Sequence, residues 1–183
     1  MGIVTGARIS LADHYVVPSG SMEPTVMTSD HVVVDKLAYG LHVPLVGGYA
    51  LHFAAPARGD VVVLESPEDG RVLLKRVVAV PGDEVSVVGG TLVIDGRAVP
   101  VDAREAAPIE RLGAATHRIN LAYGGGPDFG PLHVPAGRFL VLGDNRGNSR
   151  DGRWFGLVAR DAVLGRVEGV IVRDGHLGWV RMR

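Results

Sequence analysis

Apolar positions along this chain come in short runs rich in valine, isoleucine and leucine, each cut off by Gly, Pro or Asp. His31-Val32-Val33-Val34, Asp60-Val61-Val62-Val63-Leu64, Arg71-Val72-Leu73-Leu74, Arg138-Phe139-Leu140-Val141-Leu142 and Gly169-Val170-Ile171-Val172-Arg173 have the length, β-branching and punctuation of strands. Helical signals are scarce. Gly89 to Val99 reads as a strand with turn residues on both sides, hence a hairpin at about 86–99. There is no internal repeat and no long low-complexity tract. The pattern predicts a mainly β protein, its antiparallel sheet coiled into a barrel-like core. Residues 100–130 differ in character, with Pro100, Pro108, Gly124-Gly125-Gly126-Pro127 and the charged Asp102-Ala103-Arg104-Glu105. They are expected to form a short insertion, to which we assign no chemistry, between core segments 1–99 and 131–183.

Composition narrows the function classes. With 183 residues, 46% of them hydrophobic, one globular core forms without staples. The formal net charge is −1 and the arginines are scattered, which argues against nucleic acid as the principal partner. The absence of cysteine removes disulfides, thiol nucleophiles and cysteine-bound zinc. The seven histidines form no His-x-x-x-His pair, so neither a metal nor another cofactor is expected.

Two segments carry candidate chemistry. Pro18-Ser19-Gly20-Ser21-Met22-Glu23-Pro24-Thr25 offers serine hydroxyls, and Leu73-Leu74-Lys75-Arg76-Val77-Val78 sets a lysine among aliphatic side chains. Serine is a poor nucleophile until a base takes its proton, and lysine is a base only when uncharged. Desolvation favours the neutral amine and can lower its pKa by up to roughly 3–5 units, at about 1.4 kcal/mol each. Taken singly, the first segment also fits a plain turn and the second an edge strand with its lysine in water. A third segment shifts the balance: directly after the run Phe139–Leu142, all residues of Gly143-Asp144-Asn145-Arg146-Gly147-Asn148-Ser149-Arg150-Asp151-Gly152-Arg153 are polar or glycine. Loops of this kind concentrate functional groups.

In this order the three segments resemble the type I signal peptidases, serine/lysine enzymes that remove leader peptides from exported proteins. Arg58-Gly59-Asp60-Val61-Val62-Val63 is similar to the family's core strand, and Lys75-Arg76-Val77-Val78-Ala79-Val80-Pro81-Gly82-Asp83-Glu84-Val85 to its lysine motif and following turn. The resemblance implies a β-sheet signal peptidase core carrying a small hairpin-containing insertion. It implies Ser21 as nucleophile and Lys75 as general base. Ser19 and the Ser21 backbone N–H would stabilise the oxyanion, Ser149 would hydrogen-bond and orient the lysine amine, and Arg76, Asp144, Asp151 and Arg153 would brace the loop. The chain departs from the pattern at Gly147, where the family often has an acidic residue, and at Gly152, where it often has serine; both bear on loop rigidity.

Substrate is implied to add as a strand between Tyr15–Pro18 and Leu73–Lys75. Tyr15, Val17, Pro18, Met22, Leu73 and Leu74 would then bind it, with shallow apolar pockets selecting small residues, Ala-x-Ala, before the cut. The implied partners are exported precursor proteins. The implied location is the bacterial cytoplasmic membrane, with the catalytic part on its extracytoplasmic side. A pilin-maturing conjugative-transfer peptidase is the alternative within the group. A self-cleaving regulator of the SOS type would need a DNA-binding domain ahead of Ser21, where twenty residues stand. Family members usually begin with membrane-spanning helices; no run of about 20 mainly apolar residues exists in this chain, and Met1–Ile9 does not resemble a secretory leader. A truncation or a mis-set start is the expectation. The stretch 39–57 contains no Asp, Glu, Lys or Arg but several aromatic rings among aliphatics, so it is the expected membrane-surface contact.

Overall fold

The computed structural model of the protein describes residues 12–43, 48–105 and 107–182. Met1–Ile9, and residues 44–47 of the uncharged stretch, lie outside the described residues. In chain order the strands are β1 (Ala12–Val16), β2 (His31–Asp35), β3 (Gly40–Val43), β4 (Gly48–His52), β5 (Val61–Glu65), β6 (Val72–Ala79), β7 (Glu84–Val88), β8 (Thr91–Ile94), β9 (Arg97–Ala98), β10 (Val101–Asp102), β11 (Ile109–Leu112), β12 (Ala115–Arg118), β13 (Phe129–His133), β14 (Arg138–Leu142), β15 (Val158–Ala159), β16 (Val163–Arg173) and β17 (His176–Arg181). Among the described residues, helix is confined to three single 3-10 turns and α1 (Gly152–Phe155).

An eight-stranded antiparallel sheet runs β1-β2-β16-β5-β6-β14-β15, with β17 added to β16. β5 explains why its sequence is a continuous Val-Val-Val-Leu run: both of its faces are covered. Val61 and Val63 join Met22, Val26, Val32 and Val34 in one cluster, while Val62 and Leu64 join Val77, Phe139 and Val141 in another. A strand buried on both sides loses the in/out alternation expected of a half-exposed one. β2, covered differently on its two faces, keeps that alternation. β6 pairs with β5 through the register Val62↔Lys75 and Val63↔Leu74, so Lys75 lies on the face of the Val62 cluster and Leu74 on that of the Val63 cluster.

The expected hairpin is β7–β8–β9, which with β13 forms a four-stranded sheet. Its two turns need left-handed backbone at both central positions, and Gly89-Gly90 (φ 55° and 85°) and Asp95-Gly96 (φ 50° and 72°) supply it. Residues 100–130 contain the small β10-β11-β12 sheet. Its β11 and β12 bury Glu110 and His117.

Candidate active site

Ser21 sits in the 3-10 turn Gly20–Met22 that follows β1. Met22 is fully buried and pins that turn to the core beneath it. From the other side, the Asn145 backbone N–H donates to the Ser21 carbonyl (3.1 Å) and Asn145 Nδ2 to the Gly20 carbonyl (3.1 Å). The turn is thus held between the core and the 143–153 loop, which leaves its hydroxyl facing β6. There Lys75 Nζ donates to Ser21 Oγ at 2.7 Å and to the Leu74 carbonyl at 3.0 Å. Lys75 is only 3% exposed. Burial brings its pKa down from 10.5 to about 8, against the opposing pull of Asp151 and Asp144. As a free base, the same nitrogen has a lone pair aimed at the Ser21 hydroxyl. Ser19 Oγ lies 3.5 Å from Ser21 Oγ, on the solvent side.

Two buried ion pairs shape the loop. The Arg76 fork donates to Asp144 from Nε (2.8 Å) and Nη2 (2.7 Å), while its Nη1 donates to the Gly59 carbonyl (2.7 Å). Burial alone would raise the Asp144 pKa; Arg76 outweighs it and holds the carboxyl below its ordinary value. Asp151 accepts from Arg153 Nε (2.8 Å) and Nη2 (2.7 Å), and from the Gly143 backbone N–H (2.9 Å), closing the loop on itself. All four residues proposed from sequence as braces therefore pair, Arg76 with Asp144 and Arg153 with Asp151. The two glycine departures fit tight backbone contacts. A Cβ at Gly147 would lie 2.1 Å from the Tyr123 carbonyl oxygen, and one at Gly152 would lie 2.7 Å from Leu140 Cδ1.

Sequence reasoning missed a further layer of this network. Arg146, fully buried, donates to Glu110 from Nη1 (2.9 Å) and Nη2 (2.7 Å), and to the carbonyls of Gly90 (2.8 Å) and Gly143 (3.3 Å). His117 Nε2 lies 3.2 Å from Glu110 Oε2 and 3.9 Å from Asp144 Oδ1, at ion-pair distance but not hydrogen-bonded to either. Burial raises the Glu110 pKa, yet His117 and Arg146 together bring it well below the usual carboxylate range. Residues 100–130 thus reach the loop beside Lys75 through Glu110 and His117. The available signal was Glu110 alternating with Leu112 on the inward face of β11, which the charged and Pro-rich surroundings obscured.

Ser149 departs from expectation. Its Oγ is buried, has no hydrogen-bond partner among the described residues, and makes no bond to Lys75. The side chain packs over Gly143, where a Cβ would stand 2.2 Å from Ser149 Oγ and 2.5 Å from the Ser21 carbonyl oxygen. The Lys75 amine turns instead to Ser21 and its own strand.

The proposed substrate-binding residues do converge. Tyr15, Val17, Pro18, Met22, Leu73 and Leu74 line one cavity of about 380 Å³ together with Ser21 and Lys75. Val17 and Met22 are at the same time core residues. Among the described strands β1 pairs with β2, and β14 covers β6 from Arg76 to Ala79. Among the described residues, the outer edge of β1 and the Val72–Lys75 edge of β6 therefore carry no strand. Val16 and Val72, at these edges, are half exposed. In the uncharged stretch, Tyr39 is core, its hydroxyl donating to Asp60 (2.7 Å), whereas Leu51 and Phe53 are exposed. No helix among the described residues is long and apolar enough to cross a membrane.

Comparison with known proteins places these features in a family. The model described as "Signal peptidase, peptidase S26" matches residues 1–172. A signal peptidase I of Pseudomonas fluorescens is 37% identical over 167 residues, covering 84% of this chain and 58% of that protein. One from Leptolyngbya laminosa is 31% identical over 172 residues, covering 90% of this chain and 70% of that one. A crystal structure of a signal peptidase I from Enterococcus faecalis V583 overlaps with a TM-score of 0.42 at 28% identity, covering 62% of this chain and 97% of that one. The chain spans little more than half the length of the Pseudomonas fluorescens relative.

Proposed function

The chain belongs to the signal peptidase family, peptidase S26, and from that premise we propose that it is a serine endopeptidase that removes N-terminal signal peptides from exported precursors. The observation that carries this reading is the 2.7 Å contact between Ser21 Oγ and a lysine whose pKa is brought down to about 8 by burial.

The substrate's extended segment adds as a strand between Tyr15–Pro18 and Leu73–Lys75, where no strand lies among the described residues. Small side chains immediately before the cut and two residues earlier enter the apolar cavity, which gives the Ala-x-Ala preference. Neutral Lys75 takes the Ser21 proton as Oγ attacks the scissile carbonyl. The Ser21 backbone N–H and the Ser19 hydroxyl hold the oxyanion, each such donor being worth about 10²–10³ in rate. The Lys75 ammonium then protonates the leaving amine, and water hydrolyses the acyl-enzyme with Lys75 again as base. The exposed Leu51 and Phe53 are assigned to the lipid–water boundary of the cytoplasmic membrane, with the site on its outer side.

The test is cleavage of a precursor with Ala-x-Ala before its cut. Wild type is expected to release the leader, and Ser21→Ala and Lys75→Ala each to abolish release while remaining folded. The double variant is expected to be scarcely worse than either single one, because the two groups act as a unit. Failure of the wild type to cut would overturn the function, and turnover by Lys75→Ala would overturn the mechanism.

A further inference from the structure

The dyad borders a second cleft, of about 230 Å³, that the mechanism leaves unused. It shares Ser19, Ser21, Arg71, Leu73 and Lys75 with the apolar cavity and extends from them on the Leu73 side of β6, whereas the cavity extends on the Leu74 side. Leu73 and Phe155 form its apolar floor and pack on the cluster of Val62, Leu64 and Val77. Its rim is polar: Glu68 and Arg71 come from the turn joining β5 to β6, Arg71 being neutralised by Asp69 (2.6 Å), and Arg150 comes from the 143–153 loop. Glu68 and Arg150 join across the cleft, Arg150 donating from Nε (2.8 Å) and Nη2 (2.6 Å) to the two carboxylate oxygens. The Arg150 guanidinium also lies 5.3 Å from the centre of the Trp154 ring. The pair remains open to water, with the Arg150 side chain 57% and that of Glu68 32% exposed.

A strand's successive side chains point to opposite faces. If the peptide residues immediately before the cut and two positions earlier face the cavity beside Leu74 and Val63, the residue between them faces the cleft beside Leu73. We propose that this cleft binds the side chain of that intervening residue and that the Glu68–Arg150 pair sets its selectivity. An apolar stem lies on Leu73 and Phe155 while the polar end meets the ion pair, so the ligand class is a long side chain with a polar or charged head. Because the pair presents both signs, the intact cleft takes Glu, Gln and Lys alike and disfavours a side chain too short to reach the rim. This inference rests on the peptidase reading and adds a second determinant to the two small residues.

The experiment measures kcat/KM for peptides Ala-x-Ala with x as Glu, Lys, Gln or Ala, using wild type, Glu68→Ala and Arg150→Ala. Wild type is expected to favour Gln over Ala. Glu68→Ala leaves Arg150 unmatched and should raise the Glu-to-Lys ratio about 25-fold, because the two substrates respond oppositely, about fivefold each, to a unit charge a few Å away in a largely aqueous setting. Arg150→Ala leaves Glu68 unmatched and should lower the ratio by a similar factor. Both shifts should shrink in high salt. The ratio within each variant cancels any general loss of activity. Cleavage in which the two variants move the ratio the same way, or not at all, overturns the inference and leaves the peptidase reading intact. Failure of wild type to cut any of the peptides overturns both.

Discussion

Lys75→Met should abolish catalysis and yet make the protein more stable at neutral pH. Lys75 is 3% exposed and its pKa falls from 10.5 to about 8, chiefly through desolvation. At about 1.4 kcal/mol per unit, keeping the amine in this site withholds about 3 kcal/mol of folding stability at pH 7. Methionine fills nearly the same volume without a charge. It gives up the contacts to Ser21 Oγ and the Leu74 carbonyl, at about 1 kcal/mol each, so the net gain at pH 7 is about 1–3 kcal/mol. The pH dependence is free of that offset. The folded state binds the lysine proton more weakly than the unfolded chain, so the penalty is complete below pH 8, fades as pH rises towards 10.5 and is absent above it. Between pH 7 and pH 10 the advantage of Lys75→Met should therefore shrink by about 2–3 kcal/mol. Urea unfolding of both proteins at pH 7, 8, 9 and 10 measures it, and other titrating groups cancel in the difference. A stability difference constant across this range would refute the desolvated-lysine reasoning.

Gly143→Ala would put a Cβ 2.2 Å from Ser149 Oγ and 2.5 Å from the Ser21 carbonyl oxygen. Displacing Ser21, the proposed nucleophile, by even 1 Å should lower kcat about 10²-fold, as steady-state kinetics on a folded variant would show. Glu110→Ala leaves the fully buried Arg146 guanidinium without its carboxylate, which should cost about 3–5 kcal/mol in urea unfolding; a loss below 1 kcal/mol would contradict the bracing role. Leu51 and Phe53 are 57% and 62% exposed, and burying apolar area contributes about 25 cal/mol per Å². Replacing both with serine should reduce co-sedimentation with liposomes while leaving cleavage of a short peptide unchanged; wild type that ignores liposomes would refute the membrane contact.

The parts of the site legible in the sequence were those written in contiguous motifs. Ser19, Ser21 and Lys75 meet because β1, its turn and β6 are each short-range features, and the aliphatic neighbours of Lys75 announced its desolvation. The pairing of Arg76 with Asp144 was out of reach, since it depends on β6 lying against β14. Glu110 and His117 were less accessible still: a buried acid in a polar-looking segment is distinguishable from a solvated one only once Arg146 is seen beside it. β16 shows the same limit in the fold. Its 11 residues read as a five-residue strand because Gly165 and Gly169 look like breakers. Both are instead places of close approach, where a Cβ would stand 2.7 Å from the carbonyl oxygens of Asp35 and Val180 respectively. Ser149 was placed correctly on the loop, but its rotamer follows from packing over Gly143, which no motif encodes.

The central claim is that Lys75, as free base, activates Ser21. The most direct measurement is the pH dependence of kcat/KM on an Ala-x-Ala peptide, which reports ionisation of the free enzyme. The account requires activity to rise with pH through an apparent pKa of about 8, the value that burial gives Lys75, and then to level off. It also requires Lys75→Arg, whose guanidinium stays protonated throughout, to show no turnover at any pH. A flat profile, or an active Lys75→Arg enzyme, would contradict it.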